Sequence, residues 1–86
     1  MADYAVTFAR SARRELEALE PPYAARILAR IEALAVEPRP GGAKKLQGAQ
    51  RLWRIRVGDY RVVYNIDDRK RAVDVVRVRH RRDVYR

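Results

Sequence analysis

Leu52-Trp53-Arg54-Ile55-Arg56-Val57-Gly58-Asp59-Tyr60-Arg61-Val62-Val63-Tyr64 is the stretch on which the fold turns. Two runs rich in β-branched and aromatic residues, Leu52 to Val57 and Tyr60 to Ile66, flank Gly58-Asp59, a signature of a two-residue hairpin loop. A loop of those two residues fixes the register. Val57 then pairs with Tyr60, Arg56 with Arg61, Ile55 with Val62, Arg54 with Val63 and Trp53 with Tyr64. Side chains alternate across a strand, so one face carries Trp53, Ile55, Val57, Tyr60, Val62 and Tyr64. The other carries Arg54, Arg56 and Arg61. The apolar face needs a covering layer. The cationic face sets Arg56 against Arg61, a like-charge pairing that sheets disfavour. Either an anionic ligand offsets the repulsion, or the long side chains splay into water with their stems over the sheet.

Working outward, the covering layer lies upstream. Ala12, Leu16 and Leu19 share one helical stripe within Ser11 to Leu19, and Pro21-Pro22 ends that helix. Pro22 also suits the first turn of a second helix. In it Ala24, Ile27, Leu28, Ile31, Leu34 and Ala35 recur at three- and four-residue spacing until Pro38-Arg39-Pro40-Gly41-Gly42 breaks the pattern. Before both helices, Tyr4, Val6 and Phe8 alternate as in a short strand. Downstream, a polar turn at Asp67-Asp68-Arg69-Lys70 leads into Ala72 to Val78. There Val73 and Val75 share one phase, Val76 and Val78 the other, and a bulge near Val75-Val76 lets both sets reach the core. The expected fold is a small α+β domain of order β-α-α-β-β-β. Its helical hairpin packs on one face of a largely antiparallel, twisted sheet.

Eighty-six residues set a single domain over 1–86, with a thin core because a chain this short buries only roughly 60–65% of its unfolded surface. There is no cysteine and one histidine, so disulfides and a structural zinc site are not expected. No apolar run approaches the roughly 20 residues of a membrane span, and Met1-Ala2-Asp3-Tyr4 does not open like a signal peptide. A cytoplasmic protein without membrane association is expected. A net charge of +9 points to nucleic acid, acidic protein or an anionic membrane surface as partner. Arginine supplies most of it, and its planar fork suits phosphate.

The ordered motifs resemble the RelE/ParE toxin superfamily over essentially the whole chain. Pro38-Arg39-Pro40 followed by Lys44-Lys45-Leu46-Gln47-Gly48 is similar to the family's P-x-P…K-x-L-x-G connection. Trp53 to Tyr64 is similar to its basic strand followed by G-D-Y-R-V-x-Y, and His80-Arg81-Arg82-Asp83-Val84-Tyr85 to its closing H-R-x-D-V-Y. The resemblance implies the toxin of a type II toxin–antitoxin system, held in a hetero-oligomer by a cognate acidic antitoxin. RelE-like members cut mRNA in the ribosomal A site without a metal, whereas ParE-like members inhibit DNA gyrase. The RelE-like set of basic residues on the second and third strands, a C-terminal arginine and a late tyrosine falls here on Arg54, Arg56, Arg61, Arg81 and Tyr85. The resemblance therefore implies an mRNA-cleaving endoribonuclease that works on the ribosome, with a ParE-like gyrase inhibitor as the alternative. No cofactor or metal is implied.

One departure carries chemistry. Ribosome-dependent members place lysines where Arg54 and Arg56 stand. Arginine stabilises a developing phosphate charge well, but with a pKa above about 12 it cannot act as a base. Arg56, Arg61 and Arg81 are thus expected as phosphate clamps. His80 and Tyr85 remain as the candidates that can carry a titratable proton. Arg54, Lys44, Lys45 and Arg51 are expected to touch RNA phosphates, which position a protein without reading sequence.

Overall fold

Gly58 adopts φ +61° and Asp59 does not share its positive φ, the geometry of a hairpin turn with glycine at the first central position. In the computed structural model, which describes residues 3–48 and 51–84 with backbone alone at 83 and 84, this turn joins β3 (Leu52–Val57) to β4 (Tyr60–Asp67). The expected register is met at every position, from Val57↔Tyr60 through Arg56↔Arg61 to Trp53↔Tyr64. Around the hairpin lie β1 (Ala5–Phe8), α1 (Arg10–Glu17), α2 (Pro21–Ala33), β2 (Lys44–Lys45), β5 (Ala72–His80) and α3 (Arg81–Val84). The sheet runs β1-β5-β4-β3-β2. Only β1 and β5 are parallel. The fold is the α+β arrangement expected, with two additions: the two-residue edge strand β2 and the single turn α3.

The bulge decides how β5 contributes. Tyr64 pairs with Val75 but Val63 pairs with Arg77, so Val76 is the extra residue. Val73 and Val75 before it, and Val78 after it, are all buried. Ile27, Ile31, Leu34 and Ala12 cover them from the helices, together with Ile55, Val57, Val62, Tyr64 and Ile66 of the hairpin. The α2 stripe is narrower than its sequence suggests. Leu28 is 37% exposed, because contact with the sheet runs along Ile27, Ile31 and Leu34 and leaves Leu28 on the flank.

Polar ties hold the ends. The buried Tyr64 hydroxyl donates to the Pro38 carbonyl at 2.8 Å, anchoring the loop after α2. Asp68 accepts from Tyr4 at 2.6 Å and from both Arg39 Nη atoms at 3.3 and 2.8 Å. That pairing with Arg39, and then the Tyr4 hydrogen bond, hold the Asp68 carboxyl below the usual carboxylate range. Helix α1 runs past the end of β1 along the exposed edge of β5. Ser11 Oγ donates to the Val76 carbonyl at 3.0 Å, and the Val78 N–H donates to Glu15 Oε1 at 2.8 Å. Side chains there stand in for a neighbouring strand.

Candidate functional site

The helices cover one face of the sheet, and the other is cationic. Arg56, Arg61 and Arg79 are cross-strand partners on β3, β4 and β5, with neighbouring Cβ atoms about 5 Å apart. The next row holds Lys44, Arg54, Val63 and Arg77 on β2 to β5. Six cations thus stand in two rows, and the first row spans three strands without interruption. Arg56 is exposed, whereas Arg54 and Arg61 are partly buried, with their stems along the sheet.

Glu15 enters this face from α1. Its Oε2 lies 3.2 Å from Arg77 Nη1 and 3.5 Å from Arg79 Nε. Arg77, Arg79 and Glu15 escaped the sequence reading. The alternation of the two arginines about Val78 acquires a fixed face only once the bulge is placed on Val76.

The structure separates the other expected site residues. Arg81 opens α3, and its N–H donates to the Asp59 carbonyl at 2.7 Å. That brings its backbone to the hairpin turn, one step beyond the Arg56–Arg61–Arg79 row. His80 is not brought to the cationic face. It pairs with Tyr60 on the helix side, its ring edge-on to Tyr60 with centroids 5.1 Å apart, and its Nδ1 accepts from the Arg82 N–H at 3.1 Å. There it lines a cleft of about 290 Å³ with Tyr23, Arg26, Ile27, Val57 and Tyr60. Tyr85 lies outside the described residues.

Lys45 and Arg51 also part company with Lys44. Lys45 pairs with Trp53 on the helix side, where a second cleft of about 250 Å³ gathers Arg39, Lys45, Arg51, Trp53 and Asp67. In it the Arg39 guanidinium sits over the Trp53 ring, 5.1 Å from its centroid, and Arg51 reaches Asp67 at 3.4 Å. Among the described residues no group of three or more His, Asp or Glu side chains could hold a metal ion, and no helix is long and apolar enough to cross a membrane.

Chemically, the open face is a set of fixed hydrogen-bond donors in the fork geometry that fits phosphate oxygens. Fold and face together define a small α+β domain that offers an arginine-lined sheet to an anion. The chain belongs to the RelE/ParE superfamily: residues 6–85 match the family described as ParE toxin of type II toxin-antitoxin system, parDE. It is 38% identical to Toxin RelG of Mycobacterium tuberculosis, over 96% of this chain and 97% of that one. Its fold resembles the toxin–antitoxin complex RelBE2 from Mycobacterium tuberculosis, with TM-score 0.80, 34% identity and coverage of 91% and 98%. The archaeal RelE–RelB complex from Pyrococcus horikoshii OT3 is similar at TM-score 0.81 and 27% identity, with coverage of 92% and 96%.

Proposed function

We propose that this chain is a ribosome-dependent endoribonuclease that cleaves mRNA in the A site and is held inactive by a cognate acidic antitoxin. The observation that carries the reading is the Arg56–Arg61–Arg79 row, three guanidinium groups in one register on an open face. In the reaction the 2′-oxygen attacks the adjacent phosphorus as its proton leaves. The bond from phosphorus to the 5′-oxygen breaks, and that oxygen takes up a proton. The arginines hold the phosphate and stabilise the charge that builds on its non-bridging oxygens, the role in which fixed donors accelerate a reaction most. Arg54 and Lys44, one row away, bind flanking phosphates, and Arg81 approaches from the hairpin end. Proton transfer falls to a group outside the arginine rows, with Tyr85 the candidate. The solved complexes of RelB with RelE support an antitoxin as partner, and a +9 chain favours an acidic one.

A ribosome programmed with a defined codon in the A site, incubated with the purified chain, tests this directly. Cleavage within that codon, lost on substitution of Arg61, is the expected result; intact mRNA under conditions that arrest growth would refute it. The ParE-like alternative draws on two observations: the family description that residues 6–85 match, and the position of His80 away from the cationic face. Inhibition of gyrase supercoiling without RNA cleavage would establish it.

A further inference from the structure

We infer that Glu15 is a positioning residue: it holds the Arg79 guanidinium in line with Arg56 and Arg61. The inference rests on the proposed action of that row on a phosphodiester. Among the described residues Glu15 supplies the carboxylate that ion-pairs with both Arg77 and Arg79. One oxygen is fixed by the Val78 N–H at 2.8 Å, a backbone group that cannot move without disturbing β5. The other oxygen faces the two arginines, and the Glu15 side chain is only 22% exposed while theirs are 48% and 41% exposed. Exposed ion pairs of this kind add little to stability. Their effect is directional: an arginine side chain has many rotamers, and a carboxylate locked to the backbone selects one. Without it, Arg79 stands beside Arg61, itself beside Arg56, and like charges drive the three apart. Transition-state stabilisation depends on donors already in place when charge develops, so Glu15 serves the rate of the chemical step more than the capture of RNA.

That division predicts effects of opposite sign. Glu15→Gln keeps an oxygen for the Val78 N–H, so α1 stays docked, and removes one negative charge from the cationic face. Single-turnover cleavage on programmed ribosomes should fall about tenfold, part of the roughly 10²–10³ that one donor supplies. Binding of an uncleavable 2′-O-methyl oligonucleotide should tighten. In an Arg79→Ala background the glutamine should slow cleavage no further, and in an Arg77→Ala background it should still do so. Parallel loss of binding, cleavage and melting temperature would reduce Glu15 to a structural contact, and a gain in both binding and cleavage would reduce it to charge screening; either overturns the inference. A second readout is independent of activity. The Arg79 Nε–H resonance should shift and broaden in Glu15→Gln, because the carboxylate 3.5 Å from Nε is gone and the side chain samples more rotamers, and an unchanged resonance also overturns it. Absence of cleavage by the parent would instead refute the proposed function, and the resonance alone would then decide whether Glu15 orders Arg79.

Discussion

Arg61 is the residue at which an effect on the proposed activity should separate from an effect on the fold. It sits in the middle of the three-strand row with Arg56 on one side and Arg79 on the other. Replacing it with alanine removes a partly buried side chain of the open face and none of the core residues, so the domain should keep its melting temperature within a few degrees, as for a change of about 0.5 kcal/mol. Cleavage should fall by about 10²–10³. A calorimetric melt beside the ribosome assay checks both halves. Tyr64 is the converse case. It is buried, its hydroxyl donates to the Pro38 carbonyl, and burial pushes its phenol from 10.0 up to about 12. The unfolded chain therefore loses this proton first as pH rises, so the stability tied to the neutral phenol is complete below pH 10 and drains away between 10 and about 12. Tyr64→Phe should cost about 1 kcal/mol at neutral pH, the worth of a typical hydrogen bond, and should flatten that alkaline decline. Urea titrations at neutral and alkaline pH read both.

At the scale of elements, the decisive parts are the hairpin and the bulge. Arg56 opposite Arg61 could be read from residue order because Gly58-Asp59 leaves one register for the strands it joins. Arg79 could not, since a strand with valines in both phases has no fixed face until the bulge is placed on Val76. The same ambiguity hid the face of His80, which the shifted register sets opposite Tyr60 on the helix side. Strand β2 was illegible for a different reason: two residues have no periodicity. Glu15 depends on α1 docking along β5, a tertiary fact that no local pattern carries. The last element, α3, gives a clean test. A chain ending at His80 gives up the Arg81 N–H bond to Asp59 but, among the described residues, none of the buried core. Its far-UV circular dichroism should persist while RNA cleavage disappears, and a folded truncation that still cleaves would place the chemistry elsewhere.

For the whole molecule, charge outweighs shape. Single-stranded nucleic acid loses affinity with a logarithmic salt slope of about −0.7 for each neutralised phosphate. The scissile phosphate on the Arg56–Arg61–Arg79 row and the two flanking phosphates on Arg54 and Lys44 should therefore give a slope near −2 (by that rule), and removing Lys44 should bring it to about −1.4 (on the same scale). A fluorescence titration across salt concentrations measures it, and a slope near zero would mean that RNA is not held by this face. The same charge bears on the antitoxin. An acidic partner that binds the folded chain alone raises its melting temperature by mass action, so co-expression should yield more folded protein than expression of the chain by itself. Strong, soluble, unaccompanied expression without growth arrest would count against a toxin.

Strand β2 closes the sheet with two residues, both lysine and both exposed, one on each face. A row of unpaired amide groups at a sheet edge invites the same edge of another molecule, and charge with brevity is how natural sheets refuse it. By that rule Lys44 and Lys45 should work as a bumper against self-association. Replacing both with threonine would leave the fold and the Arg56–Arg61–Arg79 row intact, yet turn a dispersed protein into one that stacks edge to edge, visible as a rise in light scattering with concentration.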